Sequence, residues 1–182
     1  MKRKLSLLLA VVMILGSFSF AFAEDVNEAA NFLEEKGVLV GDTTGDLMLG
    51  EALERRDSVV LLSRLMGVEE EAKSFEAEGL PTWEDNNDSY YNGFLAWAQA
   101  NEYFKGHSDV KFGPRDNITA REYAVVLLRA LEYVEEAEAW DEVYETAKEL
   151  GLLEGVEKEA DEEVTRGEMA LMTYAALETA LK

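Results

Sequence analysis

Apolar residues recur at helical spacing along most of the chain, in segments separated by polar or glycine-containing stretches. Val26, Ala29, Ala30 and Leu33 share one face of a helix expected from Asp25 to Lys36 and ended by Gly37. Val59, Leu61, Leu62 and Leu65 mark a second helix, Ser58 to Met66. Further helices are expected from Tyr90 to Asn101, Tyr123 to Leu131, Trp140 to Leu150 and Met169 to Leu177. Asp42 to Gly50 and Trp83 to Ser89 are polar and read as loops, and so does the stretch through Phe112-Gly113-Pro114. Glu69 to Gly79 is acidic and weakly periodic, a linker that Leu80-Pro81 closes, and Glu132 to Ala139 is a short acidic connector. The pattern predicts an all-α protein.

The pattern also repeats. Aligned on Gly41, Gly106 and Gly155, the residues Val26, Tyr91 and Trp140 coincide. So do Ala29, Phe94 and Val143, then Ala30, Leu95 and Tyr144, then Leu33, Ala98 and Ala147. Val59, Ala124 and Ala170 coincide on the later helices, as do Met66, Leu131 and Leu177. The registers predict repeats at 24–68, 81–133 and 134–182, with 69–80 as linker. Each unit is helix, glycine turn, loop and second helix, the third loop being shorter. None can bury its own apolar face, so the three are expected to pack on one another around a shared centre.

The second helices begin alike. Thr119 and Glu122 stand at capping-box spacing, as do Thr165 and Glu168. An arginine accompanies each start: Arg55, Arg121 and Arg166. A cation there opposes the helix dipole, whereas a helix N-terminus with a guanidinium suits an anion. Tyr90, Trp97 and Trp140 are candidate platforms for a sugar ring. Trp140 lies on the apolar face of its helix, so core packing competes with that role.

Residues 1–23 read as a secretory signal peptide: Lys2-Arg3-Lys4, an apolar run from Leu5 to Phe20, and Ala21-Phe22-Ala23 for cleavage. An uncleaved membrane anchor is the competing reading; the run is just short of a bilayer span. No later stretch is apolar enough to cross a membrane. The chain has no cysteine and one histidine, His107, which excludes disulfides, thiolate metal sites and histidine clusters. Its formal net charge of −21 repels nucleic acid and anionic membranes.

Ile118-Thr119-Ala120-Arg121-Glu122 and Val164-Thr165-Arg166-Gly167-Glu168 resemble the Thr-Arg-Ala-Glu signature of S-layer homology domains. The Gly-x-x-x-Gly turns, the Phe112-x-Pro114 loop and the triple occurrence behind a leader resemble that family too. The resemblance covers essentially all of the chain after the leader. It implies a pseudo-threefold trimer of helix-loop-helix units around a central three-helix bundle. It also implies noncovalent binding of secondary cell-wall polysaccharide, often pyruvylated, in grooves between units, with the motif arginine on the acidic substituent. The implied setting is the bacterial cell surface. The implied partners are peptidoglycan-linked polysaccharide and other S-layer or envelope proteins, with no cofactor and no metal.

Ala120 occupies the usual arginine slot of the second unit, with Arg121 one place later, a rotation of about 100°. Glu54 replaces the first threonine, where it is placed to neutralise Arg55, and Glu102 stands where a glycine is expected. Arg166 is the closest match and the strongest single candidate. Asp85-Asn86-Asn87-Asp88 lacks the glycine and closing glutamate of a calcium loop and reads as a solvated loop. No carboxylate pair stands out for glycoside cleavage, so the expectation is a binding module rather than an enzyme. Two alternatives stay open: a scaffold that recognises other envelope proteins, and an envelope hydrolase.

Overall fold

The computed structural model describes residues 25–76 and 83–180. The expected leader, Leu80-Pro81 and the end of the linker lie outside the described residues. Eight α-helices occur among the described residues: α1 Val26–Glu35, α2 Arg55–Leu65, α3 Glu69–Lys73, α4 Asn92–Ala100, α5 Ala120–Ala130, α6 Val134–Glu138, α7 Val143–Glu149 and α8 Arg166–Thr179. A 3₁₀ turn, Ser89–Tyr91, leads into α4. The only β-type pairing among them is three isolated bridges: Ala52 with Thr165, Glu54 with Asn117, and Thr119 with Glu163.

Helix ends account for much of this architecture. Asp25 caps α1 through its side chain. Thr119 with Glu122, and Thr165 with Glu168, form complete capping boxes on α5 and α8. Helices α1, α4 and α7 end in the same turn, with Gly37, Glu102 and Gly151 in the left-handed region at φ of 71°, 61° and 79°. The next N–H reaches back to the helix: Val38 to Leu33 O, Tyr103 to Ala98 O, and Leu152 to Ala147 O. Glu102 therefore adopts the backbone that glycine supplies in the other two turns.

Three long helices, α2, α5 and α8, carry nearly half of the buried hydrophobic residues. Their starts are tied in a closed ring: Leu53 N–H donates to Val164 O, Val164 N–H to Ile118 O, and Ile118 N–H to Leu53 O, at 3.1, 3.0 and 2.9 Å. All three side chains are fully buried. The far ends of the same helices converge on a cleft of about 230 Å³ lined by Leu65, Met66, Leu127, Leu131, Ala176 and Leu177. Between the ends, Tyr123 and Thr173 share a buried hydroxyl–hydroxyl hydrogen bond of 2.7 Å.

Two acidic segments differ from expectation. The linker begins with helix α3, whose Ala72 is in the core, and the connector contains α6, whose Ala137 is 3% exposed. A single buried alanine in a five-residue helix gives too little periodicity to see in sequence. Gly93 of α4 lets α3 approach, since a Cβ there would lie 2.1 Å from Lys73 O. Helix α7 starts at Val143, which leaves Trp140 in the preceding turn.

Candidate functional site

At the starts of α2, α5 and α8, the first backbone N–H groups are already spent on the adjacent loops. Arg55 and Arg56 N–H donate to Asp116 O and Pro114 O, at 2.9 and 3.1 Å. Ala120 and Arg121 N–H donate to Glu162 O and Ala160 O; Arg166 and Gly167 N–H donate to Glu51 O and Leu49 O, all at 2.9 Å. The third N–H goes to the cap, as in Glu122 to Thr119 Oγ1 and Glu168 to Thr165 Oγ1. The anion site expected at these termini lacks free donors: the helix ends dock loops instead.

The arginines follow the same logic. Arg55 is 4% exposed, and its Nε and Nη2 donate to Phe112 O and Lys105 O at 3.1 and 3.0 Å. Its Nη1 meets Glu122 Oε1 at 2.7 Å, and the face of Phe112 lies 4.9 Å below the guanidinium. Burial pulls the Arg55 pKa down, against Glu122, Asp116 and Asp85, which support the charge. Glu54 does not neutralise Arg55; it pairs with Arg56 at 2.6 Å. Half-buried Arg166 makes the corresponding carbonyl bonds, to Leu47 O and Val40 O, both at 2.9 Å.

Arg121 points elsewhere, as its one-residue offset requires. Its Nη1 donates to Trp140 O at 3.1 Å, its Nε lies 3.2 Å from Asp161 Oδ1, and its guanidinium sits 5.3 Å from the Trp140 ring centre. Arg56 sits likewise over Tyr91, at 4.6 Å. Trp140 is 50% exposed, so of its two competing readings core packing falls away. The reverse holds for Trp97: it is 3% exposed and packs 5.3 Å from Tyr103, so its ring is closed to a sugar. Tyr90 is exposed and lies edge-on to Tyr91, away from the Arg55 groove.

That groove has a volume of about 260 Å³, between the Phe104–His107 turn, one face of α5 and the end of α6. Arg55 and Glu122 lie at its base, and Val125 and Val126 supply apolar wall. Lys105, His107, Arg129, Glu138 and Trp140 complete it. The Arg129 side chain is 10% exposed; Nη1 donates to Tyr103 O at 3.1 Å and Nη2 to Glu138 Oε1 at 3.0 Å. Lys105 Nζ donates to Glu138 Oε2. These hydrogen bonds, Lys105 first, hold the Glu138 carboxyl below its ordinary range. Sequence reasoning missed Arg129, since a basic residue ending a helix is expected for the dipole alone, and missed Lys105 and Glu138, which the fold brings together from 33 residues apart.

The turn glycines are tightly enclosed at Gly41 and Gly106, where a Cβ would lie 2.8 Å from Asp46 O and 2.4 Å from Lys111 O. Gly155 instead needs a left-handed backbone, φ 76°. Asp85 accepts from Phe112 N–H and Gly113 N–H at 3.0 and 2.8 Å, so it shapes the loop below Arg55. Among the described residues no three histidine or acidic side chains are grouped to hold a metal ion.

This loop, the groove turn and the start of α5 fall within one recognisable segment. Residues 85–124 match the S-layer homology domain. The S-layer homology segment thus contains Lys105, Gly106, Thr119 and Glu122, while Arg55, Arg129, Glu138 and Trp140 come from outside it. The chain is 28% identical over 145 residues to the surface layer protein of Brevibacillus choshinensis, covering 73% of this chain and 13% of that one. It is 28% identical over 109 residues to the middle cell wall protein of Brevibacillus brevis, 60% of this chain and 10% of that one. Cell surface glycoprotein 1 of Acetivibrio thermocellus matches at 28% over 99 residues, 54% of this chain and 4% of that one. The chain therefore spans a small fraction of the length of these relatives. No described helix is long and apolar enough to cross a membrane.

Proposed function

We propose that this protein anchors noncovalently to the bacterial cell envelope by binding an acidic secondary cell-wall polysaccharide in the groove beside Arg55. The observation that carries the reading is the groove itself: a chain of net charge −21 gathers Arg55, Lys105 and Arg129 there, three cations against the two carboxylates of Glu122 and Glu138, beside a half-exposed Trp140. A carboxylate on the polymer, such as a pyruvate ketal, matches the Lys105 and Arg129 donors. The exposed Trp140 ring offers a flat apolar face to a sugar.

The S-layer homology segment and the surface and cell-wall relatives support a place on the envelope. In this reading residues 24–68, 81–133 and 134–182 are three such repeats closed into a pseudo-threefold trimer. The ring through Leu53, Ile118 and Val164 and the repeated turns at Gly37, Glu102 and Gly151 support that closure. The protein acts by binding, not catalysis.

Co-sedimentation of the leader-free protein with purified cell-wall sacculi tests the reading, before and after chemical removal of the secondary polymer. Binding that disappears with the polymer, and falls at least tenfold in Lys105→Ala and Trp140→Ala, is expected. Absence of binding to intact, polymer-bearing walls would replace this reading with recognition of envelope proteins, and binding that survives polymer removal would overturn the polysaccharide as ligand.

A further inference from the structure

Glu138 places a carboxylate where the proposed ligand would put its own. It bridges the two groove cations, Oε2 accepting from Lys105 Nζ and Oε1 from Arg129 Nη2. Arg129 cannot leave, because its other Nη is bonded to Tyr103 O and its side chain is 10% exposed. Glu138 and Lys105 can: their side chains are 49% and 62% exposed. Glu138 is the last residue of the five-residue α6, and its neighbour Ala137 fixes that helix in the core. Helix α3 occupies the corresponding place after α2, packs a buried Ala72 in the same way, and ends in Lys73 instead. There the counterpart of Arg129, Arg64, pairs with Glu69 at the start of the short helix, at 2.8 Å, so a carboxylate from the helix's last residue that bridges to Lys105 is particular to this groove.

We propose that Glu138 is a built-in competitor, a displaceable carboxylate that fills the Lys105–Arg129 site until an anionic ligand replaces it. The inference rests on the groove being the ligand site, and it adds regulation of that site. An incoming carboxylate takes over the hydrogen bonds of Lys105 and Arg129 while the Glu138 side chain swings into solvent. The exchange conserves charge pairing in the groove, so affinity is set by the difference between two similar contacts. A ligand must hold the acid by additional contacts, and the Trp140 ring in the same groove offers one.

The test measures binding of a methyl glycoside bearing a pyruvate ketal, and of its neutral methyl ester, to wild-type protein, Glu138→Gln and the double variant Glu138→Gln/Lys105→Ala. Side-chain nuclear magnetic resonance signals of Arg129 report binding, and thermal melts confirm the fold. The acid is expected to bind Glu138→Gln about tenfold more tightly than wild type. The ester should show no such gain, and the double variant should lose it. Equal or weaker binding of the acid by Glu138→Gln, or no binding by any form, overturns the proposal. Wall sedimentation of the same proteins separates the two readings. Tighter acid binding in Glu138→Gln without wall binding by wild type leaves the competitor standing and removes the wall anchor. Wall binding without the gain does the opposite.

Discussion

Arg55 Nη1 and Glu122 Oε1 lie 2.7 Å apart, joining the start of α2 to the capping box of α5. Their side chains are 5% and 19% exposed, so this pair is largely out of solvent. Removing the arginine strands the carboxylate and also frees the carbonyls of Phe112 and Lys105. Arg55→Ala should therefore lower stability by about 3 kcal/mol, read as a shift of the urea midpoint. Arg166→Ala, which loses two carbonyl bonds and no ion pair among the described residues, should cost distinctly less.

The two tryptophans should separate folding from binding. Trp97→Ala empties a core position and should cost about 3 to 5 kcal/mol. Trp140→Ala removes a half-exposed ring and should shift the thermal midpoint little, while wall co-sedimentation falls. Equal melting losses in the two variants would contradict this division.

Glu102 holds a left-handed backbone, φ 61°, in the turn where Gly37 and Gly151 stand elsewhere. Glu102→Gly should stabilise by roughly 1 kcal/mol, since only the strain of a side chain at positive φ is removed. Denaturant unfolding checks the sign directly.

Acid should weaken the loop below Arg55. Burial would raise the Asp85 pKa, but the bonds from Phe112 N–H and Gly113 N–H outweigh it and hold the folded value below the ordinary one. The unfolded chain therefore takes up the proton first. The Asp85 contribution is complete above roughly pH 5 and is lost as the pH falls through the depressed folded value. The stability gap between wild type and Asp85→Asn should accordingly narrow from pH 6 to pH 3. A gap independent of pH would refute the assignment.

The helix pattern and the caps were legible because they are local. Thr119 with Glu122 is a three-residue signal, and the turns at Gly37 and Gly151 announce themselves by glycine. The site was less so. Glu54 stands next to Arg55 in sequence yet pairs with Arg56, and the partner of Arg55 is brought by α5. Trp97 sits in an apolar run, Phe94-Leu95-Ala96-Trp97-Ala98, that is buried throughout, so periodicity could not say which face was wet. Trp140 shares a register with Val26 and Tyr91, but it precedes α7, and the turn swings it out. The clearest loss was the anion site, because its donors are consumed by loops remote in sequence.

The hydrogen bonds among Leu53, Ile118 and Val164 run head to tail and return to their origin. A circle differs from a row in that it has no end from which to fray. Any one segment that lets go breaks two junctions together, so no fragment keeps an intact pair of neighbours on both sides. Because Val164 enters near the end of the described chain, synthesis of the first two thirds leaves the circuit open. The circuit closes in one step, when the segment carrying Val164 and the start of α8 joins the other two.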